Sequence, residues 1–342
     1  MAMSDVERIR AALSFVCPDD RDTWVAMGMA VKDELGAAGF DIWDAWSQQS
    51  ASYQPAAAKS VWKSFKASGK VSVGSLFHAA RLAGWQDDDR YAIPDPLEVE
   101  RRRAVRAAAE AAETRKREQL AERAGHRAGA LWSSASRTGV SPYLVHKRVE
   151  AESIRFLSDG AVVVPLVRYG VPPSLVGAQV ILADGAKRFV TGSAKQGSAC
   201  RLGLVVEGQP IMVAEGLATG LTIRQATGRR WPVFVAFDAG NLLPVALMLR
   251  RLFPRCPLLI CADDDFMTAG NPGIAKAKKV VKQVPYAHLI YPVFSGPRSA
   301  RTTDFNDLHV AEGIDAVSRQ FAAPLAYLGG LKVRSMEVQH AA

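Results

Sequence analysis

Over residues 204–325, short apolar runs alternate with longer amphipathic stretches, which predicts strand, helix, strand, helix, strand, helix, strand. The strands fall at 211–213, 233–237, 257–262 and 287–293. Helices fill 217–227 and 242–252, and a third opens at Asn271-Pro272-Gly273 with proline in its first turn. Apolar runs bounded by Gly or Pro and joined through helices are the pattern of a buried parallel sheet. Upstream the period changes to two. Strands are expected at 161–168 and 175–182, and Asp184-Gly185 turns the second into Lys187-Arg188-Phe189-Val190. A Gly-Ser loop, residues 191–198, follows.

The first part of the chain reads as helical. Candidate helices open with a capping box at Ser4-Asp5-Val6-Glu7, then at Asp22 and Asp41, and continue over 56–65 and 73–83. Five of the seven tryptophans lie here: Trp24, Trp43, Trp46, Trp62 and Trp85. Their helical spacing predicts a core, and Lys59, Lys63, Lys66 and Lys70 line a solvated face. A polar, proline-containing break spans 87–96. Residues 97–128 are rich in Ala, Arg and Glu, with charge all round, and predict an exposed helical spacer. Helical pieces follow, including one opened by Ser141-Pro142-Tyr143.

Two strands end in carboxylates. Ile211-Met-Val-Ala runs into Glu215-Gly216, and Pro257-Leu-Leu-Ile-Cys-Ala runs into Asp263-Asp264-Asp265. Ligands of open α/β sheets bind at the carboxyl ends of the strands. Period two turns Asp263 and Asp265 to one side and Asp264 to the other. Crowded carboxylates repel, and a hard cation offsets that cost.

Charge sharpens the picture. Of the net +9, the residues after 128 carry 24 basic against 15 acidic side chains, a difference of +9 in the part that holds the paired carboxylates. That suits a polyanion held near a metal, or a solvated basic surface. The four cysteines are scattered without a Cys-x-x-Cys pair, so neither a zinc site nor a disulfide framework is expected. No apolar run approaches the roughly 18 residues that span a bilayer, and the N-terminus lacks a signal-peptide pattern. A reduced, cytoplasmic location without membrane attachment is the expectation. Gly192 to Ser198 lacks the Lys-Ser/Thr ending of a phosphate-binding P-loop.

The helical part, through Asp22-Thr-Trp24, Phe40-Asp-Ile-Trp43-Asp-Ala-Trp46 and Val61-Trp62-Lys-Ser-Phe65, resembles the small domain attached to many phage and plasmid primases. The segment around Val164-Pro165-Leu166, Gly177 and Lys187-Arg188-Phe189-Val190-Thr191-Gly192-Ser193 resembles the N-terminal subdomain of the bacterial primase polymerase core. Val213-Ala-Glu215-Gly216, Phe237-Asp-Ala-Gly240-Asn241, Cys261-Ala-Asp263-Asp264-Asp265 and Thr303-Asp304-Phe-Asn306-Asp307 together resemble the Toprim domain of the phage and plasmid primase branch.

The resemblance implies an α/β Toprim core, a parallel sheet flanked by helices. It adds a β-hairpin-containing N-terminal subdomain and a separate small all-α N-terminal domain. The domains are then 1–90 (helical), 91–128 (charged linker), 129–203 (hairpin subdomain), 204–325 (Toprim) and 326–342 (tail). It implies Mg²⁺ or Mn²⁺ on Glu215, Asp263 and Asp265, completed by Asp304 and Asp307. Glu215 would help bind a metal or act as general base on a 3′-hydroxyl. Lys187, Arg188, Lys195 and Arg201 would meet nucleic acid or nucleotide phosphates, and Lys276 or Lys278 would hold phosphates near a helix start. A further acid expected four residues after Glu215 is Thr219 here, which leaves Asp238 or the late acids to supply oxygen ligands. The implied function is synthesis of short RNA primers from NTPs on single-stranded DNA, beside a separate replicative helicase. A metal-dependent Toprim nuclease and a non-catalytic replication or DNA-binding module remain the alternatives.

Overall fold

The computed structural model describes residues 5–65, 71–87, 96–299 and 302–330. Ser4 of the expected capping box, Lys66 and Lys70 of the lysine face, residues 88–95 of the polar break and residues 331–342 of the tail lie outside them. The chain divides into two compact units, residues 1–113 and 114–342.

The first unit is helical: α1 (Asp5–Leu13), α2 (Arg21–Leu35), α3 (Phe40–Ser47), α4 (Pro55–Ser64) and α5 (Val73–Leu82). Asp20 caps α2 by accepting from Thr23 N–H at 2.8 Å. Trp43 is fully buried at the centre, with its ring centroid 4.5 Å from that of Trp24 and 5.4 Å from that of Trp62. Each indole N–H of this cluster needs a partner once buried. Trp24 donates to Ser47 Oγ (2.7 Å), Trp43 to Trp24 O (3.1 Å) and Trp46 to Val16 O (2.9 Å). The tryptophans are therefore core, while Lys59 and Lys63 stand exposed on α4.

Helix α6 (Pro96–Ser134) begins in the first unit and ends in the second. It runs without a break through residue 128, and its last turns are not the exposed spacer expected from sequence. Ala124 and Ala128 are fully buried, the latter against Val163 and Ala178. Small residues spaced by four let the helix lie close on a sheet. Arg155 then ends it, donating to Trp132 O at 2.5 Å with its guanidinium 4.7 Å above the Trp132 ring.

After α7 (Pro142–Lys147) comes a four-stranded antiparallel sheet of β1 (Arg155–Phe156), β2 (Val162–Arg168), β3 (Ser174–Ile181) and β4 (Lys187–Phe189), in that order. Gly177 on β3 has no room for a side chain, because a Cβ there would fall 2.3 Å from Ser193 Oγ.

The second sheet has five strands in the order β5-β7-β6-β8-β9: β5 (Cys200–Leu202), β6 (Ile211–Ala214), β7 (Val233–Val235), β8 (Leu258–Cys261) and β9 (Ala287–Ile290). β6 to β9 are parallel, and β5 closes the edge antiparallel to β7. Helices α8 (Leu217–Ala226), α9 (Leu242–Leu252), α10 (Pro272–Gln283), α11 (Phe305–Glu312) and α12 (Ile314–Gly330) cover its two faces. The α/β core of the sequence reading is therefore present. The expected tail begins inside α12, whose Leu325 and Leu328 are buried against the sheet. Among the described residues no helix is long and apolar enough to cross a membrane.

Candidate active site

β6 and β8 are adjacent, and every residue of both is buried. Their shared carboxyl edge delivers Glu215 and Asp263 to the same place. The charges interact. Burial, then Asp265, push the Glu215 carboxyl up to about 7, with smaller pushes from Asp238 and Asp304 and an opposing N–H from Asp263. Burial, then Glu215, Asp304 and Asp265, raise Asp263 well above the carboxylate range, and Lys187 opposes them. Asp304 is raised chiefly by burial, then by Asp307.

Glu215, Asp263, Asp265 and Asp304 thus form one electrostatic cluster. Its members differ in how they are held. Glu215 Oε1 and Asp263 Oδ1 are buried with no hydrogen-bond donor. Asp265 Oδ2 accepts from Gly273 N–H, at the start of α10, at 3.0 Å. Gly273 itself is pressed against the site: a Cβ there would fall 2.2 Å from Asp263 O and 3.1 Å from Asp265 Oδ2.

Asp304 and Asp307 form a capping box at the start of α11. Asp304 Oδ1 accepts from Asp307 N–H (2.8 Å), and its Oδ2 accepts from the Thr219 hydroxyl (2.7 Å). Asp307 Oδ2 accepts from Thr303 N–H and Asp304 N–H, and its Oδ1 stands 3.6 Å from Lys147. Asp304 therefore adjoins the cluster while Asp307 serves the cap. Asp264 is not among the charges that act on Glu215 or Asp263, and its carboxylate is bonded to Arg298 and Asn271 instead.

The basic residues separate into two groups. Lys187 adjoins the carboxylates and, with Tyr143, His146, Lys147, Thr219 and Asp304, lines a cleft of about 600 Å³. Lys195 pairs with Asp238, whose other oxygen accepts from Asn241 N–H at 3.0 Å. Arg188 points from β4 to the side opposite Lys187. Arg201 lies on β5 beside Tyr169, and Lys276 and Lys278 stand exposed on the second turn of α10. None of these four is brought to the carboxylates.

Two contributors were not legible in sequence as site residues. Thr219, where an acid was expected, instead orients Asp304. Asn241, quoted only within a motif, is buried with every polar atom engaged. Its amide donates to Lys195 O (3.0 Å), Ser198 O (2.9 Å) and Ala236 O (2.8 Å), and its Oδ1 accepts from Gly197 N–H (2.7 Å). It fixes the loop that carries Lys195.

An all-oxygen, acid-rich donor set suits a hard divalent cation, and the two donorless buried oxygens are what such an ion satisfies. Among the described residues, no group of three acidic, His or Cys side chains is already closed on one point.

Residues 210–315 match the Toprim domain family, and residues 9–80 match the family described as Primase C terminal 2, PriCT-2. The two matched stretches lie one in each compact unit. It is 32% identical over 221 residues to a DNA primase TraC of Escherichia coli, covering 61% of this chain and 20% of that protein. It is 30% identical over 196 residues to another DNA primase TraC of Escherichia coli, covering 52% and 13%. The chain thus spans a fifth or less of the length of these relatives. Among solved structures it is similar to the primase fragment of the bacteriophage T7 primase-helicase protein, at 15% identity and a TM-score of 0.39, covering 56% of this chain and 77% of that one.

Proposed function

We propose that this chain is a DNA primase of the phage or plasmid type, which joins NTPs into short RNA primers on single-stranded DNA. The observation that carries the reading is the buried carboxylate cluster of a Toprim domain with Lys187 beside it, in a chain similar to DNA primase TraC. Phosphoryl transfer asks mainly for positioning and charge neutralisation.

Asp263, Asp265 and Glu215 would hold Mg²⁺ or Mn²⁺, with Asp304 at the edge of the set. When bound, the ion neutralises phosphate charge and lowers the pKa of an attacking hydroxyl. Where Glu215 is not itself bound to the ion, its carboxylate is placed to take the 3′-hydroxyl proton. Lys187 faces the phosphates from the cleft. Lys195, Arg188 and Arg201 serve the nucleic-acid backbone at a greater distance, and Lys276 and Lys278 form an outer basic surface on α10. Asp307 contributes through the α11 cap. The proposed division of labour follows 1–90, 91–128, 129–203 and 204–325, with a separate replicative helicase as partner in a cytoplasmic setting.

The test pairs two reactions. Single-stranded DNA of mixed sequence with labelled NTPs and Mg²⁺ is expected to yield oligoribonucleotides. Supercoiled plasmid without NTPs is expected to stay intact. Cation-dependent nicking with no primer products would favour the nuclease instead.

A further inference from the structure

In sequence Asp264 lies between the two acids of the proposed cation site, yet it is buried and its carboxylate is engaged elsewhere. Its Oδ2 meets Arg298 Nη2 at 2.5 Å, and its Oδ1 accepts from Asn271 Nδ2 at 2.6 Å. Its backbone N–H donates to Thr303 O at 2.8 Å. Arg298 is itself enclosed, with its guanidinium 3.8 Å from the Phe266 ring centroid and 5.2 Å from that of Phe294. One carboxylate therefore ties together three segments: the loop after β8, the start of α10, and the stretch before α11.

Each segment supplies part of the cluster. The loop carries Asp263 and Asp265. The start of α10 supplies Gly273 N–H, which holds Asp265. The stretch before α11 ends in Asp304. A buried ion pair contributes little net stability when compared with apolar packing, but it fixes geometry because breaking one partner strands the other. We propose that Asp264 and Arg298 are a positioning pair, which sets the spacing of Asp263, Asp265 and Asp304 for a divalent cation without touching it. The inference rests on the metal-dependent reading above.

The pair predicts a pattern in direct Mn²⁺ binding, measured by calorimetry on the full chain. Arg298→Gln and Asp264→Asn should each weaken binding by about 10-fold or more, as loss of outer partners of metal ligands does. The double variant should cost no more than the worse single one, because both remove the same link. Arg298→Lys keeps the charge and should fall between wild type and Arg298→Gln; it also serves if Arg298→Gln fails to fold. If Asp264 were itself a ligand, Asp264→Asn alone would lose Mn²⁺ and freeing it by Arg298→Gln would not weaken binding, which overturns the pair. Wild-type affinity in both Arg298 variants overturns it equally. The primase reading fails separately, if wild type binds Mn²⁺ but makes no primers.

Discussion

At the scale of single residues, the cluster is held against its own charge. Burial and neighbouring acids raise Glu215, Asp263 and Asp304 above their ordinary carboxylate values, so each releases its proton at higher pH folded than unfolded. The sign follows from linkage. Their favourable contribution is full below the unfolded carboxylate range and is lost as pH rises through the folded values, about 7 for Glu215. A divalent cation reverses this, because its ligands must be deprotonated. The stabilisation that Mn²⁺ confers should be larger at about pH 8 than at about pH 6. Thermal unfolding with and without Mn²⁺ at both pH values checks it, and an equal or larger gain at the lower pH would contradict the assignment.

Thr219 gives a second expectation at this scale. Thr219→Val removes the hydroxyl that donates to the buried Asp304, at a cost of about 1–3 kcal/mol in metal-free stability. Thr219→Ser should restore most of it. Urea unfolding of the two variants decides, and equal stability would show that the bond is dispensable.

At the scale of elements, the strand ends and helix starts were readable because their signals are local. An apolar run closed by Glu215-Gly216, or by Asp263-Asp264-Asp265, announces both a buried strand and its polar edge. Asn271-Pro272 likewise announces α10. The missed features are short or non-local. β5 and β1 span three and two residues, too few to show a period. The burial of Ala124 and Ala128 depends on a sheet that the helix meets only after folding. Arg298 reaches Asp264 across 34 residues, and no sequence pattern links them.

Gly273 sits where α10 meets the loop after β8. A methyl group there would collide with the backbone carbonyl of Asp263. Gly273→Ala should therefore push α10 from the strand-end loop and weaken Mn²⁺ binding, although alanine is the better helix former. Unchanged affinity measured by calorimetry would show that the close approach does not matter.

For the whole molecule, two compact units with separate cores predict separable stability. Trp43→Ala empties the centre of the helical unit and should destabilise it by about 3–5 kcal/mol. Mn²⁺ binding by the second unit should remain. Calorimetric unfolding read beside Mn²⁺ titration tests this, and parallel loss of both would contradict it.

In the proposed reaction Glu215, Asp263 and Asp265 carry out templated phosphoryl transfer. Dinucleotide formation from NTPs on single-stranded DNA with Mg²⁺, compared between wild type and folded Asp263→Ala, tests it most directly. Wild type should give product, and the variant should lose roughly 100-fold or more. Equal product from both, or none from wild type across many templates, would contradict it.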